Sequence, residues 1–415
     1  MDEVKGTGVV DVIDIAETIP PLPSDLIDRE SSIKTIQRTF QTGVEVVFIE
    51  APEGLGKTTL ACQFARKNPT NTISVFLRPI GLHPIHTQHV LFDLSNQIHW
   101  LLESKQLPED AELDLSSINQ LWLRLQRRAV AKGQTIYVIV DGLSSIPDEW
   151  KYIRDVILGM IPFGYKTFRF LLTGDAQTIF SDNAHKYQWK SYPVDPFGFH
   201  ETSQYLANLS LDRDRLSEIH RVTDGIPARL ASVKRILSAG KDTQQIIEEC
   251  DASLNDFFDL EWKSARLGKG LQCRRALAML AFDDRFWGIR DIARLLNVDQ
   301  ALLAPELRQL SFVSVDEQGN AQYISDAFRQ YAQTQLADER EVILDLIIKD
   351  LASNPTSEDT LISLPSLLER AGRENEMMAC LSVENLDRLL AISKTLATVY
   401  KNLDLGMRYH QKVCK

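Results

Sequence analysis

The sequence predicts an α/β domain built on a mostly parallel sheet, followed by helical modules. Three observations carry this. Short β-branched runs alternate with helical periods through the first part of the chain. One run, Val44 to Ile49, leads through a glycine-containing turn into a helical pattern from Thr58 to Lys67. After about residue 198 the strand signals stop and helical periods take over. Strands alternating with helices imply βαβ units, whose strands pair in parallel.

The elements follow in order. Residues 1–25 hold no amphipathic period and end in Pro20-Pro21-Leu22-Pro23, so a leader is expected, with Val9 to Ile15 as a strand candidate. Ser24-Asp25 precedes a helix reaching Phe40, with Ile33, Ile36, Thr39 and Phe40 along one stripe. Val44–Ile49 is the first buried strand and Ile73–Leu77 the second. Helices are expected at 86–104 and 115–132. Thr135–Val140 is a third strand, Phe168–Thr173 a fourth and Lys190–Val194 a short fifth. Helical periods at 199–208, 212–222 and 228–239 make a small helical domain. Helices at 271–282, 288–296 and 300–311 precede strand candidates Phe312–Val315 and Gln322–Ile324. With the turn Asp316–Asn320 between them, these form a winged-helix arrangement. From about 340 the pattern is helical throughout, with a helix pair at Leu364–Ser382. A solenoid would need further repeats beyond it. The expected divisions are 1–25, 26–197, 198–265, 266–338 and 339–415.

Composition bounds the function. The chain has 415 residues, 46 Lys+Arg against 57 Asp+Glu, and a net charge of −11. With 44% apolar and 25% charged residues it is neither disordered nor fibrous. No apolar run approaches the ~18–20 residues that cross a bilayer. Met1–Glu17 is acidic and lacks the n- and h-regions of a signal peptide, so a cytoplasmic protein is expected. Cys62, Cys250, Cys273, Cys380 and Cys414 are scattered, which suggests neither a zinc site nor a disulfide framework. His83, His86, His89 and His99 cluster without an acid or Cys to complete a metal site. Trp100, Trp122 and Trp150 read as packing residues.

Ala51-Pro52-Glu53-Gly54-Leu55-Gly56-Lys57-Thr58 fits the Walker A spacing, with Ala for the first Gly. Such a loop turns backbone N–H groups inward around a phosphate chain. Gly54 and Gly56 permit the backbone angles, Lys57 supplies a cation for the β and γ phosphates, and Thr58 offers a hydroxyl to Mg²⁺. Thr59 follows in the first turn of the helix, whose positive end faces the loop. The fold class expected is therefore an α/β P-loop NTPase domain followed by a small helical domain, a winged-helix domain and an α-helical repeat-like C-terminus. An ATP site of this kind needs a carboxylate at the end of a neighbouring strand, and Tyr137-Val138-Ile139-Val140-Asp141 supplies it. The next acids are Asp148 and Glu149, and Ser144 is no base at neutral pH. Tight nucleotide binding with slow hydrolysis is the expectation.

With the phosphate loop, Asp141-Gly142-Leu143 and Gly225-Ile226-Pro227, the chain resembles the STAND class of signalling NTPases, relatives of AAA+ that include the NACHT and NB-ARC proteins. The likeness covers about 25–340 and follows the family's module order. It implies that the backbone of Ile27-Asp28-Arg29 meets adenine, with Asp28 where Gly is usual. It implies that Pro52 to Thr59 cradle the phosphates, that Thr58 and Asp141 hold Mg²⁺, and that Pro227 packs on the nucleotide. Arg78, ending the second strand, resembles an arginine near the γ-phosphate in some members. Arg229 reads as a sensor arginine or as a solvated helix residue. Three positions depart from the pattern: Ser144 replaces a second acid, Asp175 in Thr173-Gly174-Asp175 replaces an arginine sensor, and Ser325-Asp326 replaces a His-Asp pair.

The resemblance implies an ATP- or ADP-controlled switch, with protein partners sensed through the C-terminal helices, nucleotide-dependent homo-oligomers, and a role in defence signalling. One alternative is an origin-recognition-like AAA+ ATPase with its winged helix on DNA; another is a scaffold that keeps a structural nucleotide. DNA is disfavoured as a partner, because residues 271–335 carry seven Arg, no Lys and eight acids, net −1, and the hairpin tip Asp316-Glu317-Gln318 is acidic. No membrane partner is expected.

Overall fold

The computed structural model describes residues 19–20, 22, 25–77, 87–108, 111, 113–146, 151–180, 186–240, 242–250, 253–265, 271–283, 285, 287–316, 318–393 and 396–413. The strand candidate Val9–Ile15 and residues Arg78, His83, His86, Asp148, Glu149 and Trp150 lie outside them. The chain divides into two compact units between Asp195 and Pro196.

The first unit holds α1 (Glu30–Gln41), β1 (Val46–Glu50), α2 (Lys57–Lys67), β2 (Thr72–Phe76), α3 (Thr87–Glu103), α4 (Leu115–Lys132), β3 (Ile136–Asp141), α5 (Lys151–Met160), β4 (Phe168–Thr173), α6 (Ala176–Phe180) and β5 (Trp189–Pro193). The five strands form one parallel sheet in the order β2-β3-β4-β1-β5. Helices cover both faces, so the central strands read as continuous apolar runs rather than alternating ones. Phe48, Val138, Phe170 and Leu172 are fully buried. Trp122 of α4 lies in the same core, and its indole N–H donates to Met160 O at 2.9 Å, so a buried polar edge has its partner. Helix α4 starts where the Asp114 carboxylate accepts from Ser117 N and stops at Gly133 in the left-handed region.

The order places β4 between β1 and β3. The phosphate-loop strand and the Asp141 strand are therefore not neighbours, and the end of β4 lies between their carboxyl ends. Helices α5 and α6 were not expected from sequence; α6 is five residues, too short for a period to be read.

The second unit begins with α7 (Phe199–Tyr205), α8 (Arg213–Thr223), α9 (Pro227–Ser238), α10 (Thr243–Glu249) and α11 (Leu254–Ser264). It continues through α12 (Leu271–Phe282), β6 (Trp287–Gly288), α13 (Ile289–Leu296), α14 (Gln300–Gln309), β7 (Val313–Val315), β8 (Asn320–Tyr323) and α15 (Asp326–Gln335). Three helices and a small antiparallel sheet, β6-β8-β7, make the winged-helix arrangement that the sequence implied. The two-residue β6 has no sequence signal of its own. Helices α16 (Arg340–Ala352), α17 (Glu358–Arg370), α18 (Glu374–Cys380), α19 (Val383–Ser393) and α20 (Leu396–Val413) complete the chain.

Helix α11 is shared between modules. Phe258 and Trp262 enter the winged-helix core, where Phe312 and Phe328 stack 4.6 Å apart and Trp262 lies 5.4 Å from Phe312. On the same helix, Glu261 is 1% exposed and takes both Nε and Nη2 of Arg235 from α9, at 2.6 and 3.0 Å. The Ser311 hydroxyl also donates to Glu261. A buried carboxylate of this kind is tolerated because it is paired and hydrogen-bonded. In α17, Pro365 has no N–H for the carbonyl of Leu361; the Asn402 amide of α20 donates to that carbonyl at 2.9 Å instead.

Candidate functional site

The carboxyl ends of β1, β4 and β3 carry the groups that the sequence singled out. β1 ends at Glu50, and Ala51 to Gly56 form the loop into α2. Gly54 and Gly56 have φ of +86° and +85°, which side chains rarely tolerate. Gly56 is the N-cap of α2, and no side chain caps that end. The orphan N–H groups of the first turn are thus left to an external acceptor, which is what an anion site at a helix start requires. Leu55 is buried, whereas Pro52 and Glu53 are exposed.

The Lys57 ammonium donates to the carbonyls of Ala51 at 2.6 Å and Pro52 at 3.2 Å. It is thereby held inside its own loop. Partial burial lowers its pKa, while Glu53 and Asp141 push the other way. Thr59 lies in the first turn beside Gly56.

Asp141 sits at the end of β3 and is buried. Its Oδ2 accepts from the Thr58 hydroxyl at 2.8 Å and its Oδ1 from the Thr173 hydroxyl at 2.6 Å. Thr173 ends β4, and its Oγ1 also accepts from Gly142 N at 3.1 Å. The residues fit a small divalent cation. In an octahedral shell with bonds of about 2.0–2.1 Å, adjacent oxygens lie about 2.9 Å apart. The Thr58–Asp141 separation of 2.8 Å matches that spacing, and both are hard oxygen donors. The chain behind Asp141 is equally constrained. Gly142 has φ of +91°, and a Cβ there would fall 2.1 Å from the Leu77 carbonyl oxygen.

The amino-terminal segment joins the same place. Gln63 of α2 accepts from Arg29 N at 2.9 Å and donates to Ile27 O at 2.8 Å, so one buried amide fixes the strip from Ile27 to Arg29 against the helix. The Arg29 guanidinium donates to Asp195 O at 2.8 Å and to Leu55 O at 3.4 Å. It ties the end of β5 to the phosphate loop.

The structure thus brings together Ile27, Arg29, Leu55, Lys57, Thr58 and Asp141. Arg78 lies outside the described residues, and Pro227 opens α9 in the second unit as its first helical residue. Gln63 and Thr173 were not singled out by sequence as site residues, and only the last residue of a predicted strand could have hinted at Thr173.

The three departing positions have local occupations. Ser144 lies against the turn after β4; a Cβ on Gly174 would fall 2.6 Å from its Oγ. Asp175 accepts from Thr178 N and Oγ1, both at 2.7 Å, and these bonds lower its pKa. Ser325 caps α15 by accepting from Phe328 N. Arg229 pairs with Asp224 at 2.7 Å. Among the described residues no group of three or more His, Cys, Asp or Glu could hold a metal by itself, so a cation at Asp141 would take its remaining ligands from phosphate and water.

No family model and no curated protein matches the chain. Among solved structures, it is similar to a Signal Transduction ATPase with Numerous Domains (STAND) protein, PH0952 from Pyrococcus horikoshii, which carries a tetratricopeptide-repeat sensor. The likeness covers 94% of this chain at 13% identity and a TM-score of 0.53. This chain spans 56% of that protein's length. The Walker-type ATPase PABY2304 of Pyrococcus abyssi is similar over 74% of this chain and 96% of its own, at 13% identity and a TM-score of 0.40. The Aeropyrum pernix ORC2 protein is similar over 76% and 97%, at 12% identity and 0.38. The likeness to the STAND protein shows a common fold: an α/β sheet domain with helical modules after it.

Proposed function

We propose that the chain is an ATP/ADP-binding switch of the STAND type. The observation that carries the reading is the convergence of the phosphate-loop Thr58 and the strand-end Asp141 on one 2.8 Å contact, beside an uncapped helix start and Lys57. When bound, Mg²⁺ would supply charge neutralisation for the β and γ phosphates. The protein's part is to cradle phosphate with loop N–H groups, to aim Lys57 and to hold adenine against the Ile27–Arg29 strip.

Hydrolysis is slow in this reading. Both Asp141 oxygens accept threonine hydroxyls, and the exposed Ser144 stands where a base would be needed. Nucleotide state then sets the conformation of the helical modules and their assembly, with protein partners engaging the C-terminal helices. A trigger must bind one conformation more tightly than the other. Defence signalling follows from the resemblance to NACHT and NB-ARC proteins, and the cytoplasm is the compartment that fits it.

The wing speaks against the DNA-bound alternative. The Asp316 carboxylate accepts from Asn320 N and Nδ2, so the hairpin tip is built on an acid where a phosphate contact needs a base.

Calorimetric titration with ATP and ADP, with and without Mg²⁺, tests the proposal. Micromolar or tighter binding is expected, weakened roughly thirtyfold or more by Lys57→Ala. Turnover should stay below ~1 per second. Light scattering should give different masses in ATP and ADP. Binding unaffected by Lys57→Ala would overturn the nucleotide site; equal masses in both nucleotides would overturn the switch.

A further inference from the structure

At the end of the sheet opposite the phosphate loop, the segments entering β1, β4 and β5 border an open surface pocket of about 510 Å³. The parallel register sets Val46 beside both Phe170 and Trp189, which brings these three entries side by side. Gly43 and Glu45 come from the first entry, Lys166 and Arg169 from the second, Lys186 and Tyr187 from the third. Three cations thus face one carboxylate in a chain whose net charge is −11.

These cations are not spent on structure. Among the described residues, Lys166 and Lys186 form no ion pair and donate no side-chain hydrogen bond. The Arg169 guanidinium is fixed in place: Nε donates to Phe40 O, and Nη1 to Lys166 O and Phe168 O, the latter two at 2.8 Å. Its Nη2 is left for a ligand. Tyr187 forms a rigid wall, its ring 5.2 Å from both Phe163 and Phe180.

We propose that this pocket binds a phosphorylated small molecule carrying at least two negative charges, at a site separate from the nucleotide. A fixed guanidinium and an ammonium group come from the β4 entry, and a second ammonium group comes from the β5 entry. A tetrahedral phosphate offers oxygens in each of those directions, whereas a planar carboxylate offers two in one plane. The volume lies within the range of small-molecule sites.

The test uses inorganic pyrophosphate, titrated calorimetrically at low salt into the full chain carrying Lys57→Ala, which weakens binding at the phosphate loop. One binding event is expected to remain. Adding Lys166→Ala and Lys186→Ala, at exposed positions that leave the melting temperature unchanged, should weaken it roughly a hundredfold. Three results would overturn the proposal: no binding once Lys57 is removed, binding indifferent to the two lysines, or citrate binding as tightly as pyrophosphate.

Discussion

Replacing Thr173 by Val removes one hydroxyl and almost no volume. That hydroxyl donates to Asp141 and accepts from Gly142 N–H, in a residue 3% exposed. A hydrogen bond to a charged group contributes about 1.5–3 kcal/mol, and the part-buried Gly142 N–H left without its acceptor costs about 1 kcal/mol more. Thr173→Val should therefore destabilise the end of β3 by about 2.5–4 kcal/mol. A chain of two compact units need not unfold in one step, so a local readout is required. Hydrogen exchange of peptides spanning β3 and β4 supplies one. A loss of about 3 kcal/mol appears there as exchange about 150-fold faster. Thr173→Ser, which keeps the hydroxyl, should restore most of the protection. The freed carboxylate should also bind Mg²⁺–nucleotide roughly tenfold more weakly. Exchange accelerated less than about fivefold would refute the reasoning, since it would place the Thr173 contribution below about 1 kcal/mol.

Other perturbations separate the remaining claims. Gly142→Ala should cost more than ~2 kcal/mol, because φ is +91° and the Leu77 carbonyl blocks the Cβ; Gly43→Ala, at φ +96° with nothing within 4 Å, should cost only about 1–2 kcal/mol, both read from hydrogen exchange of the surrounding peptides. Arg235→Ala should cost about 3–5 kcal/mol by leaving the buried Glu261 carboxylate without its cation, whereas Arg235→Met with Glu261→Leu should recover most of that in a denaturant titration. Burial lowers the Lys57 pKa, and only the charged form attracts phosphate, so ATP affinity should fall as pH rises through that lowered value, earlier than for a surface lysine. Lys57→Arg should flatten the profile in titrations between pH 7 and 10, a range set by the usual lysine pKa of about 10.4. Burial raises the Cys250 pKa to about 12, so this thiol should resist alkylation in the native chain and react only on denaturation, followed by mass spectrometry.

The phosphate loop and Asp141 were legible because each is written in consecutive residues: a glycine spacing after one apolar run, an acid at the end of another. Thr173 was not, because its role exists only once β4 lies between β1 and β3, and no local pattern encodes that order. Gln63 hides for a related reason, since it sits among apolar helix residues and its amide is spent on a strip 34 positions earlier. The winged helix was readable from its helices and hairpin turn, yet β6 is too short to register and α11 has its meaning only through partners on both sides. The pocket at the amino end of the sheet left no signal either; Lys166, Arg169 and Lys186 look like ordinary surface charges until the register aligns their strands.

Helix α11 also decides how the second unit can be taken apart. It completes an aromatic stack and also holds a buried carboxylate for a neighbouring helix. A helix owned by two modules turns their border into a seam. Heat applied to the small helical module is delivered to the winged helix, and the two should melt as a single cooperative block. Anyone grafting this winged helix onto another protein would have to carry Leu254–Ser264 along with it, or leave the graft with an open flank where Trp262 had been.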